Sequence, residues 1–419
     1  MKSKILLLCQ YYYPEHVSSA LLPAQLAQHL AEKGYDVNVI TGYPKEYHDG
    51  EKVLCKETHK NVNIRRLKYL NFKRINKVFR LINFFSFFTK VFLKLGQIKK
   101  YECIFVYSNP PILPLIGYLA KKKDKPKFIF VGFDLYPDNA IAINAIKPKS
   151  IISRLMSYIN SKVYLNADII VAISSEMKKY ILENYNITDE EKVVNISNWY
   201  TGNYKQNVIQ CDRENKYIDL RKSYKMIVLY TGNLGEAQDL DTIVQSIIRM
   251  SNLKNYDNVL FVFTGHGSRK TEIRITLENN GIQNTKFFGF LKDQDYVDIL
   301  NIADVCLVSL RKGIEGLGVP SKTYGYFAFG KPIISIMSDG TELAKKIVEN
   351  KAGFNILQGD VSGFINAIDC FLQNGILLEE YGNNSYRIHS DYYKREIALK
   401  KYEAILYQLI HNKFRSKEI

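Results

Sequence analysis

The chain is poor in the residues that build stapled or metal-centred proteins. Its 419 residues hold six cysteines, seven histidines and one tryptophan. Cys9, Cys55, Cys103, Cys211, Cys306 and Cys370 are spread singly with no Cys-x-x-Cys pair, and several lie inside apolar strand-like runs. They read as small buried residues of a reducing compartment, not as a disulfide scaffold or a thiolate metal cage. The histidines, at 16, 29, 48, 59, 266, 389 and 411, are too dispersed for a ligand set, so no metal is expected. No run of about 18 apolar residues exists, which argues against a spanning helix. The opening apolar stretch is too short for the core of a secretory signal, and a cytoplasmic location is expected. There is no Gly-Lys-Ser/Thr phosphate loop and no complete Gly-x-Gly-x-x-Gly after the first strand, which disfavours a P-loop NTPase or a dinucleotide oxidoreductase.

Acids are scarce in one place. The formal charge is +16, and residues 51–100 hold 14 Lys or Arg against Glu51 and Glu57 alone. At about 100° per residue, Asn76, Arg80, Asn83, Lys90, Lys94 and Gln97 fall on one side of a helix there, and Leu81, Phe85, Phe88, Phe92 and Leu95 on the other. A basic helix with an aromatic face suits an anionic bilayer surface. The contact is assigned to Lys73, Arg74, Lys77, Arg80, Phe85, Phe88, Lys90, Phe92, Lys94, Lys99 and Lys100. The competing reading is a core helix with a solvated cationic side. Nucleic acid is not expected, because no zinc, helix-turn-helix or RNP-like signature accompanies the charge.

What is present is a strand–helix alternation that occurs twice. KILLLC, VNVIT, ECIFVYS, KFIFVGF and DIIVAIS are short β-branched or aromatic runs with helical stretches between them. After a polar stretch the pattern restarts with MIVLYTG, NVLFVFTG, KFFGF, DVCLVSL, PIISI and AGFNIL. The spacing predicts two doubly wound α/β domains in tandem, with ligands outside the carboxyl ends of the strands and a cleft between the domains. The expected bounds are 1–200, a linker at 201–222, and 223–389. A final helix at about 390–419 is expected to pack back on the first domain.

Three turns in the second half carry glycine: YTGNLGEAQDL, FTGHGSRK and FFGFLKDQDY. Gly232 and Gly235, and Gly265 and Gly267 one strand over, would let backbone N–H groups approach a diphosphate. The stretch VPSKTYGYFAFGKP reads as a helix capped by Ser321, carrying Lys322 at its start and ended by Gly330. A helix start of that kind suits an anion.

Taken in order, these motifs, with YYYPEHVSSALLPAQLAQHLAEKG, FVYSNPP, FDLYPD, ADIIVAISSEM and NISNW, resemble the GT-B-fold retaining glycosyltransferases of family 4. The likeness is to the bacterial branch that builds capsule, exopolysaccharide or O-antigen units. It implies transfer of a hexosyl or N-acetylhexosaminyl group from a nucleotide sugar, expected to be UDP-linked, onto a lipid-linked or growing glycan. It implies no cofactor and no metal, and a peripheral place on the inner face of the cell membrane. By position, Gly232, Asn233, Gly235 and Gly265 would hold the donor diphosphate, and Gly289, Phe290 and Leu291 the base. Pro320, Ser321 and Lys322 would stand beside the phosphates and sugar. Glu15, His16, Ser18 and Ser19 would shape the acceptor side, and Asp134 would touch the sugar or acceptor hydroxyl, with a turn or helix-cap role as its alternative. Asp134 and Lys322 are the catalytic candidates. The family's two motif glutamates fall here on Leu317 and Gly325, and Glu315 is out of step; either another residue, with Glu342 a candidate, supplies the ribose contact, or nucleotide affinity is lower. That departure keeps a catalytically silent scaffold open, and a nucleotide-sugar epimerase shares the architecture.

Overall fold

The structure is a computed structural model that describes residues 2–44, 53–70, 72, 77–121, 125–202, 215–253 and 256–411. The chain forms two compact units. The first comprises Met1–Thr201, Gly316–Val319 and Arg395–Ile419; the second comprises Gly202–Glu315 and Pro320–Lys394.

The first unit is built on eight strands: β1 (Lys4–Leu8), β2 (Asp36–Gly42), β3 (Lys56–His59), β4 (Val62–Leu67), β5 (Cys103–Tyr107), β6 (Lys127–Gly132), β7 (Ile169–Ala172) and β8 (Val193–Asn195). Their order is β3-β4-β2-β1-β5-β6-β7-β8, parallel except for β3 on β4. Strands buried on both faces need continuous apolar runs, and KILLL and CIFVY supply them. One face is covered by the helices Ser18–Glu32 and Arg395–Ile410, whose Leu26, Leu30, Tyr402 and Leu406 meet Leu7, Phe105 and Val131. On the other face, Phe87, Val91, Ile98, Ile116, Val163 and Tyr164 meet Leu6, Leu8, Ile104 and Phe130. The helices Lys77–Phe92, Leu95–Ile98, Pro114–Ala120 and Ile151–Asn166 therefore form one layer on that face.

The second unit has six parallel strands: β9 (Met226–Thr231), β10 (Val259–Thr264), β11 (Thr285–Phe288), β12 (Val305–Ser309), β13 (Ile333–Ile336) and β14 (Gly353–Ile356). Their order is β11-β10-β9-β12-β13-β14, which puts the topological switch between β9 and β12. Those two strands pair only at Val228–Val305 and Leu229–Cys306, then diverge. The hydroxyl of Tyr326 fills the gap, accepting the Thr231 N–H at 2.9 Å and lying 3.0 Å from Thr231 Oγ1.

Several expectations need correction. Asn83 is not on a solvated side: it is buried, and its amide grips the Phe72 backbone, accepting the N–H at 2.8 Å and donating to the carbonyl at 2.9 Å. Cys55 and Cys370 are exposed, while Cys9, Cys103 and Cys306 are buried; Cys211 lies outside the described residues. The last helix starts at Arg395, after a π-helical turn at His389–Tyr393.

Candidate functional site

In the second unit the site elements gather at the carboxyl ends of β9, β10 and β11. Gly232 has φ +93° and donates its N–H to Thr264 O at 2.8 Å. Gly265 and Gly267 are glycines for a packing reason. A Cβ on Gly265 would stand 2.0 Å from Gly232 O, and one on Gly267 2.1 Å from Leu234 O. The turns are laced further: Leu234 N–H donates to His266 O, and Gly265 N–H to Gly289 O. The Gly235 N–H is taken by Gln238 Oε1 at 3.1 Å. These N–H groups are thus engaged within the fold. Gly289 and Phe290 are exposed, Phe290 to 49%, and the Phe290 ring lies 5.9 Å from that of His266.

The helix Lys322–Ala328 follows β12. Ser321 does not cap it: the residue is exposed, has helical φ and ψ, and makes no side-chain cap bond. Thr323 takes part instead, donating both N–H and Oγ1–H to the carbonyl of the buried Pro320. The helix ends as expected at Gly330, φ +59°, with Gly330 N–H to Phe327 O and Lys331 N–H to Tyr326 O, a Schellman pair.

Lys322 has the least ordinary environment of the candidates. Its Nζ is shut from solvent and has no hydrogen-bond partner. It lies 3.4 Å from the centre of the Tyr230 ring, and its Cε is 3.6 Å from where a Gly232 Cβ would stand. Burial holds its ammonium well below the usual lysine range. The ring face is negative and attracts the cation but cannot accept its protons as an anion would. The arrangement is an amine held ready beside the β9 turn.

The positions of the family's two motif glutamates are both buried. Leu317, in the segment assigned to the first unit, is 4% exposed in that unit's apolar cluster, a setting that rejects an unpaired carboxylate. Gly325 is buried in the helix between Tyr324 and Tyr326. Glu315 accepts from Gly313 N–H at 2.6 Å and Ser338 Oγ at 2.5 Å. Glu342 lies in the first turn of the helix Glu342–Glu349, half-buried.

In the first unit Asp134 follows β6. Its Oδ1 accepts from Asn139 Nδ2 at 3.1 Å, and its N–H donates to Ser108 Oγ at 3.3 Å. The residue forms a lone antiparallel bridge with Gly318, beside a Leu135 N–H to Leu317 O bond of 3.0 Å. It caps no helix, since Asp138–Ala142 has Pro137 at its cap with no side-chain bond. Burial pushes its carboxyl up to about 6, partly opposed by the Asn139 bond. Glu15, after β1, is buried with Oε2 3.4 Å from the Tyr12 N–H, and His16 is half-buried. Ser18 and Ser19 open the helix Ser18–Glu32, whose cap residue Val17 makes no side-chain hydrogen bond to it.

Of the membrane candidates, Lys73 and Arg74 lie outside the described residues, as does the side chain of Lys77. Arg80, Phe85, Lys90, Phe92, Lys99 and Lys100 are exposed, with Phe88 and Lys94 half-buried. Sequence reasoning missed the second helix of the same layer: Ile151, exposed to 86%, with Ile152, Leu155, Tyr158 and Leu165 also facing water. No acid occurs between Asp138 and Asp168, while Lys147, Lys149, Arg154 and Lys162 do. That run of charge of one sign was the available signal.

The chain folds as two α/β units on largely parallel sheets. Residues 23–200 match the family described as Glycosyltransferase Family 4, and residues 212–388 that described as Glycosyl transferases group 1, so the chain is a GT-B glycosyltransferase of the family 4 type. Among curated relatives, WbjE of Pseudomonas aeruginosa, described as a glycosyltransferase, is 28% identical over 72% of this chain and 74% of its own. WcaI of Escherichia coli K12, described as a colanic acid biosynthesis glycosyl transferase, is 24% identical over 82% and 85%. The fold is shared with Anabaena HepE in complex with UDP-glucose, at TM-score 0.70 and 13% identity over 97% and 99% of the two chains. Among the described residues no group of three or more His, Cys, Asp or Glu converges as a metal site. No single helix there is long and apolar enough to cross a membrane.

Proposed function

We propose that the protein transfers a hexosyl or N-acetylhexosaminyl group, with retention, from a UDP-linked sugar onto a lipid-linked or growing surface-polysaccharide acceptor. The observation that carries the reading is the Lys322 Nζ, buried, without a hydrogen-bond partner, and set beside the Gly232 turn at a strand-order switch. The names of WcaI and of the HepE complex support it in polysaccharide context and donor class. In the reaction the bond from the sugar C1 to the diphosphate oxygen breaks and one from C1 to the acceptor oxygen forms on the same face. The acceptor proton passes to the leaving phosphate. Charge grows on the diphosphate, where a nearby cation acts most strongly. No metal or cofactor is assigned a part.

The outer helical layer of the first unit is read as the contact with the cytoplasmic leaflet. Its exposed Leu81, Phe85, Phe92, Ile151, Leu155 and Tyr158 lie among lysines and arginines. Apolar insertion plus attraction to anionic lipid gives peripheral, salt-sensitive binding. The test is release of UDP from a panel of UDP-sugars with and without lipid-linked acceptor, with the product anomer read by NMR. Acceptor-dependent release and a retained anomer are expected. Release or sugar interconversion without acceptor, or no turnover of any donor, overturns the reading.

A further inference from the structure

The first unit contains a cavity of about 370 Å³ lined by six cationic side chains: Lys56, Arg65, Arg66, Lys68, Lys90 and Lys94. It lies where the β3–β4 edge meets the end of the helix Lys77–Phe92, and among the described residues no acid lines it. The carboxylate next to it in sequence, Glu57, is taken by Arg66 at 2.7 Å. Arg65 spends one N–H on the neutral Gln97 at 3.0 Å. Arg66 is 3% exposed; its two terminal nitrogens donate to Leu54 O and Tyr13 O, and its Nε has no hydrogen-bond partner. With Arg66 paired to Glu57, the other five like charges around the cavity repel one another and favour an anion among them. Guanidinium forks beside ammonium point charges match the oxygens of a phosphate ester.

One wall of the cavity is apolar and open to water. Leu93 lines it at 69% exposure, and Phe92, Phe85 and Leu81 continue the exposed surface along the same helix. A ligand that satisfies both parts carries a phosphate next to a hydrocarbon tail. We propose that the cavity is the headgroup site of an anionic phospholipid, whose phosphate sits among the six cations while its acyl chains pass Leu93. This rests on the membrane reading above and adds to it a discrete site where general charge attraction needs none.

Cys55 is exposed and lines the cavity, so it reports occupancy directly. The experiment labels the full chain with a neutral thiol reagent and follows Cys55 and the exposed Cys370 separately by peptide mass spectrometry. Vesicles are phosphatidylcholine alone or mixed with phosphatidylglycerol, and co-sedimentation is measured in the same samples. With mixed vesicles the labelling of Cys55 is expected to slow about tenfold, the factor for lipid at about ten times its Kd. Cys370 should be unaffected, and phosphatidylcholine alone or inorganic phosphate should protect neither. The exposed pair Lys56→Glu and Lys68→Glu should remove the protection while leaving thermal unfolding unchanged. Protein that co-sediments with mixed vesicles but keeps a fully reactive Cys55 overturns the headgroup site and leaves the membrane reading standing. Protection by inorganic phosphate assigns the cavity to a soluble anion and overturns the lipid. Failure to co-sediment overturns both.

Discussion

The Lys322 Nζ lies 3.4 Å from the centre of the Tyr230 ring, and among the described residues it has no hydrogen-bond partner. A buried amine with no acceptor holds its proton poorly, so the folded state binds fewer protons there than the unfolded chain. Stability lost through this group is therefore largest below the ordinary lysine range and recovers as pH rises towards it. Lys322→Met is expected to raise the unfolding temperature near neutral pH, with the gain shrinking as the solution becomes alkaline. The same variant should lose a hundredfold or more in kcat, about 2.7–4 kcal/mol of charge stabilisation. Near-normal turnover in Lys322→Met would remove the residue from the diphosphate site.

A diphosphate arriving beside Lys322 would favour its charged form. Nucleotide binding should then take up a proton at those pH values, below the ordinary lysine range, where the unliganded amine is neutral. Calorimetry in buffers of different ionisation enthalpy measures this uptake directly, and Lys322→Met should abolish it. Equal apparent enthalpies in all buffers for the wild type would show that Lys322 does not change protonation on binding.

Asp134 titrates the other way. Burial raises its carboxyl from 3.8 to about 6, so the folded state holds the proton more tightly than the unfolded chain. The cost is complete above about 6 and disappears below 3.8. Asp134→Asn should be more stable at neutral pH, by roughly 1–3 kcal/mol, and indistinguishable from wild type at strongly acid pH. If the ionised carboxylate contacts the sugar or acceptor, the variant loses turnover and keeps its nucleotide affinity, and wild-type kcat falls below pH about 6. A variant that gains stability and keeps full turnover would leave Asp134 with a purely structural part.

Tyr326 shows what the switch point needs. Tyr326→Phe removes the acceptor of the Thr231 N–H in a buried place, and an unsatisfied donor there costs about 1–3 kcal/mol. Because Thr231 leads directly into Gly232, nucleotide affinity should fall with stability. Denaturant unfolding and nucleotide titration of the same preparation test the two together; a loss of stability with unchanged affinity would separate the strand gap from the site.

Much of the fold was legible because strands buried on both sides must be apolar throughout. KILLL, CIFVY and VLFVF could not be mistaken, and the repeated alternation gave both units. β3 and β4 escaped: KETH is short and polar, and VNIRRL carries two arginines at the sheet edge. Glycine turns were visible as turns, but not why each glycine was needed. Gly265 and Gly267 answer to the neighbouring turn's carbonyls, a contact made across strands and absent from any local pattern. The buried grip of Asn83 on residue 72 was hidden for the same reason, since periodicity tells faces apart without telling which is inside.

That ambiguity matters most for the helix Ile151–Asn166, which carries apolar residues on both its buried and its exposed side. Its Val163 and Tyr164 do face the sheet, on the same side as Phe87 and Val91 of the basic helix. The outward Ile151, Leu155 and Tyr158 therefore belong to one surface with Leu81 and Phe85. Electrostatic attraction is screened by salt, whereas insertion of apolar side chains is not. Replacing Ile151, Leu155 and Tyr158 with Ser should leave low-salt binding to anionic vesicles largely intact and abolish what survives at high salt. Replacing Lys90, Lys94, Lys99 and Lys100 with Glu should do the reverse, removing low-salt binding and transfer to lipid-linked acceptor while nucleotide binding persists. Co-sedimentation across a salt series separates the two terms. If both variants show the wild-type salt profile, the helical layer faces something other than a bilayer.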